Sequence, residues 1–295
     1  MSTAFASPPT AARSRRIVLW GPAGCGKSSY LSTLVFFHRQ DAGERRLCVL
    51  PANATTAEWV ALRVQAMRGT GASDVAKTRE YQELAFRLYD LPARAAAPFP
   101  TRSLGGPFGD AQQPSRVLGE LSVWDVQGEL YRDDPPAPLL DAMLDASGLV
   151  LLIDPGQVPR ARATAYYTSF FQATLGALSL RLKRDGHGGD ARPDARLDAR
   201  NRLRIPVAIC LTKSDEHAEL RTDADRRDQF RAIVGEAAGL LESWVTTHAV
   251  YAISALGRTV ESRDGRQVLV REPEPLNALL PLRWVLDQAT HRIDR

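Results

Sequence analysis

Apolar runs recur along the chain at Ile17–Trp20, Val117–Trp124, Gly148–Asp154, Ile205–Leu211 and Ala249–Ser254, and longer stretches with helical spacing lie between them. Short apolar runs alternating with helical stretches mark strands joined by crossovers, because a strand covered on both faces carries no polar alternation. The same pattern predicts helices over Lys27–His38, Pro138–Asp145, Ala161–Lys183, Ala224–His248 and Leu276–Ile293. The fold class is therefore α/β, a doubly wound, mostly parallel sheet with helices on both faces.

Three stretches interrupt this rhythm within a single domain expected over residues 15–295. Residues 45–97 read as an α/β insertion, with a strand at Arg46–Ala52 and helices near Thr56–Met67 and Val75–Tyr89, a pattern too regular for a loop. Residues 184–203 are rich in Gly, Asp and Arg and are expected to be mobile. Residues 257–273 alternate β-formers around Asp264-Gly265 and predict a surface hairpin. Residues 1–14 resemble a transit peptide in composition, yet Pro8-Pro9 opposes a helix, so a disordered tail is expected.

Composition narrows the class. Hydrophobic residues are 44% and charged residues 24%, as in globular domains, and no apolar run approaches the roughly 18 residues of a membrane span. A cytoplasmic protein without a transmembrane segment is expected. The net charge of +4 is spread over interleaved Arg and acidic residues, which argues against a nucleic-acid partner. Cys25, Cys48 and Cys210 lack CxxC spacing, so neither a disulfide framework nor a zinc site is expected. Trp20, Trp59, Trp124, Trp244 and Trp284 are expected to pack the core.

One stretch carries explicit chemistry. Gly21-Pro22-Ala23-Gly24-Cys25-Gly26-Lys27-Ser28 fits GxxxxGK[ST] after a strand and before a helix, and Ser29 continues into that helix. The glycines let successive N–H groups face a phosphate chain, Lys27 would bridge the β- and γ-phosphates, and the Ser28 hydroxyl would reach Mg²⁺. Cys25 occupies a free position of the motif as a small packing residue, although a thiol near a helix N-terminus can also gain reactivity. The loop leaves the base open. Thr212-Lys213-Ser214-Asp215 follows the strand at Ile205–Leu211 and fits [NT]KxD, in which the Asp accepts from N1–H and the exocyclic amine of guanine and the Lys stem lies along the base. Adenine would leave that carboxylate unsatisfied. Asp125-Val126-Gln127-Gly128 fits DxxG, where the Asp holds Mg²⁺ through water and the Gly N–H meets the γ-phosphate. Ser254-Ala255-Leu256, after the last strand, fits the short SA[KL] element beside the guanine oxygen.

The ordered set GPAGCGKS, DVQG, TKSD and SAL resembles the translation-factor and Ras-like class of P-loop GTPases, over Arg16 to Arg295. The segment before DVQG and the late PLNALLPLRWVLDQ resemble, more loosely, bacterial double-GTPase-type proteins of conflict or multi-protein systems. The resemblance implies a Ras-like fold with insertions, GTP or GDP with Mg²⁺ as cofactors, and protein effectors or regulators as partners. It also implies a switch threonine on Mg²⁺, for which Thr101 is the candidate and Thr55 and Thr56 are rivals. Where Ras-like enzymes place a water-orienting Gln, this chain has Glu129, with Gln127 as a second candidate. Glutamate accepts from water but cannot donate, and its charge opposes a γ-phosphate. Slow hydrolysis is therefore expected, accelerated by an activating protein or by homo-oligomerisation. The leading expectation is a nucleotide-dependent switch; a GTP-binding scaffold and a P-loop ATPase of a defence or transport machine are the alternatives.

Overall fold

Strand β1 (Arg16–Trp20) shows why the apolar runs lack alternation. Val18 and Trp20 project into one core and Ile17 and Leu19 into another on the opposite side of the sheet. The computed structural model describes residues 15–35, 45–67, 82–92, 116–125, 135–185, 196–222, 225–257, 260–263, 266–269 and 274–293. The expected tail at 1–14 lies outside the described residues.

After β1 come α1 (Lys27–Leu34), β2 (Arg45–Pro51), α2 (Ala54–Met67), β3 (Gln82–Pro92) and β4 (Arg116–Asp125). Next are α3 (Ala137–Leu144), β5 (Gly148–Ile153), α4 (Arg160–Asp185), β6 (Val207–Leu211), α5 (Arg226–Val234) and α6 (Ala237–Trp244). The described chain ends with β7 (His248–Ala252), β8 (Val260–Arg263), β9 (Arg266–Leu269) and α7 (Leu280–Ile293). The main sheet has the order β2-β3-β4-β1-β5-β6-β7. From β4 to β7 all neighbours pair in parallel, whereas β3 is antiparallel to both β2 and β4. This is a doubly wound α/β fold with a mostly parallel sheet, with α1, α2 and α7 lining one face and α3 to α6 the other.

Aromatic residues of α4 pack against the sheet. Phe170 stacks on Trp20 at 5.2 Å, and Tyr167 and Phe171 are buried beside it. Trp59 is buried, Trp244 and Trp284 pack against the two cores, and the side chain of Trp124 lies outside the described ones.

Three expectations are corrected. Residues 82–89 do not continue a helix from Val75, because β3 occupies them and sends Leu84, Phe86 and Leu88 into the core while Glu83 and Arg87 face out. Pairing with β4, Phe86 opposite Leu121, overrides the helical propensity of this Glu/Leu/Ala/Arg-rich segment. The helix expected over Ala224–His248 is broken at Gly235, whose φ is 63° and where a Cβ would collide with the Thr164 hydroxyl. Asp225 caps the first half by accepting from Arg227 N–H at 2.7 Å. The last helix starts at Leu280 rather than Leu276, since Leu276 bridges Ser254 and Asn277 has a left-handed φ of 54°.

The segment expected to be mobile is described in part. Helix α4 runs to Asp185, residues 186–195 lie outside the described ones, and 196–203 form a turn. There the Asp198 carboxylate accepts the N–H groups of Arg200 and Arg202 and the Arg202 Nε–H, each at 2.8 Å. These donors hold its pKa below the usual value, and Leu203 anchors the turn in the core. The insertion at 45–97 contributes β2, α2 and β3, and β8 pairs antiparallel with β9 where the hairpin is expected. No helix among the described residues is long and apolar enough to cross a membrane.

His248, at the start of β7, gives the fold a pH dependence. Burial, together with Arg227 and Arg231, holds its imidazole below the usual 6.5 against the opposing pull of Glu242. The unfolded chain thus protonates this ring near 6.5 while the folded chain resists until a lower pH. The stability tied to the neutral ring is present above 6.5 and is lost as pH falls through the folded value. We expect the urea midpoint to fall between about pH 7.5 and about pH 5.5, and His248→Gln to remove part of that fall. Parallel profiles for the two proteins would assign the dependence to other groups.

Candidate functional site

The carboxyl ends of β1, β5, β6 and β7 meet at one edge of the sheet, and the loops leaving them carry the candidate residues. Residues 21–26 run from β1 into α1. Gly24 and Gly26 have φ of 71° and 90°, left-handed conformations that favour glycine. At Gly21 the constraint is contact: a Cβ would come 2.5 Å from the Leu152 carbonyl oxygen. Lys27 opens α1 and is buried, and its ammonium donates to the Gly21 and Pro22 carbonyls, both at 2.7 Å. A desolvated ammonium needs such partners, and these carbonyls keep it inside the curl of the loop.

Cys25 is fully buried, with its Sγ 3.7 Å from Lys27 Nζ. Burial raises its pKa, and the nearby ammonium offsets only part of that rise, so the thiol is a packing group and not an activated nucleophile. Ser28 and Ser29 lie in the first turn of α1, half-buried, and the Ser32 hydroxyl lies 2.8 and 3.1 Å from their carbonyls, its single proton serving one or the other.

The loop after β6 is fastened to this one. The Thr212 hydroxyl lies 3.0 Å from the Cys25 carbonyl and 3.2 Å from that of Ile153, so its single proton serves one or the other. Thr212 N–H donates to Ile153 O at 2.8 Å and Ser214 N–H to Ile253 O at 3.0 Å, tying residues 212–215 to the strands on both sides. Lys213 has a left-handed φ of 53°. Asp215 is half-buried; its carbonyl accepts from Arg221, and among the described residues no hydrogen bond or ion pair engages its carboxylate. After β7, Ser254 is buried and its hydroxyl accepts the Gly257 N–H at 2.9 Å, closing the turn that carries Ala255 and Leu256.

Sequence reasoning missed the turn after β5. Asp154 is buried, accepts the Gly156 N–H at 2.8 Å through Oδ1 and binds Lys213 Nζ at 2.6 Å through Oδ2. Gln157 lies against Gly24, where an added Cβ would meet its Oε1 at 2.9 Å. His217 approaches from the other side, with Nε2 4.0 Å from Asp154 Oδ1. A signal existed, because Asp154 ends an apolar strand at the same edge as Asp125 and Thr212.

Asp125 is the last residue of β4, but its side chain lies outside the described ones. Thr101, Gln127, Gly128 and Glu129 also lie outside the described residues. Of the rival threonines, Thr55 is exposed, whereas Thr56 is fully buried and its hydroxyl accepts the Ala85 N–H at 3.1 Å. Thr56 is therefore part of the α2–β3 packing and is no longer a candidate for a metal ligand. Among the described residues no group of three His, Cys, Asp or Glu could hold a metal. The Ser28 hydroxyl is an oxygen donor of the kind that Mg²⁺ takes.

No family model and no curated protein matches the chain. Similar solved structures include nucleolar GTP-binding protein 1 of Plasmodium falciparum, at 8% identity and TM-score 0.39, covering 98% of this chain and 92% of that one. The SRb-GTP/SRX complex from Chaetomium thermophilum matches at 14% identity and TM-score 0.41, covering 93% of this chain and 98% of the other. The GTP-bound Ski7 GTPase-like domain of S. cerevisiae matches at 11% identity and TM-score 0.35, and the match covers 95% of this chain but 50% of that one.

Proposed function

We propose that this chain binds GTP with Mg²⁺ and hydrolyses it slowly, acting as a nucleotide-dependent switch on protein partners in a bacterial multi-protein system. The observation that carries the reading is the fastening of two loops: the Thr212 hydroxyl beside the Cys25 carbonyl joins the TKSD loop to the phosphate loop. In this reading Lys27 exchanges its two carbonyl partners for phosphate oxygens, and the loop N–H groups receive the rest of the phosphate chain. The Asp215 carboxylate faces the guanine donors and Ser254 to Leu256 lie beside the guanine oxygen. Ser28, Asp125 and Thr101 hold Mg²⁺. Glu129 in place of a water-orienting Gln supports the slow turnover, and a partner's Arg or a second copy of the chain would raise it. A scaffold module with little turnover is the second reading, favoured by the same Glu129.

The test is competition of unlabelled GTP and ATP against a fluorescent guanine nucleotide with Mg²⁺, followed by single-turnover hydrolysis of the bound GTP. GTP is expected to win by about a hundredfold or more, equivalent to about 2.7 kcal/mol, and to hydrolyse more slowly than about 1 per second. Equal competition by ATP would return the ATPase reading. Bound GTP that persists for hours would favour the scaffold.

A further inference from the structure

Asp154 is the first residue after β5, and its buried carboxylate is fixed by the protein itself. Oδ1 holds the Gly156 N–H at 2.8 Å, and the Asp154 carbonyl accepts the hydroxyl of the buried Tyr167 at 3.0 Å. One oxygen is left to the solvent-side groups, and Oδ2 takes Lys213 Nζ at 2.6 Å. The Lys213 side chain is 39% exposed, against 5% for Asp154. As a stabiliser of the fold such a pair is poor value, because desolvating the carboxylate offsets much of the attraction. What the pair does supply is direction. Lys213 carries a long, rotamer-rich side chain on a left-handed backbone, and anchoring its ammonium limits the paths that its aliphatic stem can take.

We propose that Asp154 is the positioning residue for Lys213, stretching the lysine stem along the face of a guanine base held by Asp215. This inference rests on the guanine-nucleotide reading above. The turn it begins reaches further, since Gln157 lies against Gly24 of the phosphate loop. Residues 154–157 thus brace the base loop and the phosphate loop from one side, as Thr212 joins them on the other. A lysine already held in its bound path loses less freedom when nucleotide arrives, and affinity rises without any new contact to the ligand.

A double-mutant cycle on the full chain tests this, with GDP affinity as readout. Asp154→Asn keeps an acceptor for the Gly156 N–H but removes the charge that holds Lys213. It is expected to weaken GDP by about tenfold in the wild-type background and by less than about twofold in Lys213→Met. The preference for guanine over xanthine nucleotide should not move, because the base edge is read by Asp215 and not by the lysine stem. Equal losses in both backgrounds, or no loss in the wild type, would overturn the proposal. If Asp154→Asn does not fold by circular dichroism, Asp154→Ser serves the same corner of the cycle. Failure of the underlying reading is seen separately, as an unmutated protein that does not prefer guanine nucleotides.

Discussion

Asp215→Asn is expected to lower affinity for guanine nucleotides by about a hundredfold, roughly 2.7 kcal/mol, and to raise affinity for xanthine nucleotides. A carboxylate offers two acceptors to the two donors on the guanine edge, N1–H and the exocyclic amine. The Asn amide offers one acceptor and sets its own NH₂ against the exocyclic amine, leaving donors unsatisfied at about 1–3 kcal/mol. Xanthine carries an oxygen in place of that amine and restores a complementary pair. The structure makes this a clean experiment. Among the described residues nothing bonds the Asp215 carboxylate, and its loop is held through main-chain groups, at Ser214 N–H and at the Asp215 carbonyl that accepts from Arg221. The thermal midpoint should therefore stay near that of the wild type while specificity inverts. Competition by guanine and xanthine nucleotides against one fluorescent probe measures the inversion; an equal loss for both bases would remove Asp215 from the base edge.

How far the chain could be read in advance follows from which interactions are local. Strands β1, β5, β6 and β7 are continuous apolar runs because helices cover both their faces, and such runs are visible in sequence. Strand β3 was hidden: its residues alternate with period two, yet their helical propensity is high, and only pairing with β4 decides the outcome. The break at Gly235 was hidden for a related reason. A glycine inside a helical pattern is tolerable by itself, and the neighbour that leaves no room for a side chain is Thr164, far away in the chain. The stretches at residues 21–28, 212–215 and 254–256 stand out in the sequence because each motif is contiguous. Their fastening does not, because Thr212 and Cys25 are 187 residues apart. The same holds for Asp154, which looks like the polar end of a strand until the fold brings Lys213 to it.

Lys27→Met is expected to weaken GTP binding by at least about a hundredfold, again roughly 2.7 kcal/mol, while leaving the protein folded. Methionine keeps most of the aliphatic stem that fills the buried space under the loop, so little packing is lost. What disappears is the ammonium. Without nucleotide it donates to the Gly21 and Pro22 carbonyls at 2.7 Å, partners that offset its desolvation without exceeding it. With nucleotide, the same donors would meet phosphate oxygens, and hydrogen bonds to charged groups contribute about 1.5–3 kcal/mol each. The loss therefore falls on the bound state and hardly on the free protein. Titration of a fluorescent guanine nucleotide, paired with thermal unfolding of the nucleotide-free protein, separates these terms. A variant that binds as the wild type does would show that Lys27 keeps its carbonyl partners and that the curl of the loop holds no phosphate. A variant that binds poorly with an unchanged midpoint would place the lysine on the phosphates, where the buried ammonium has its largest effect.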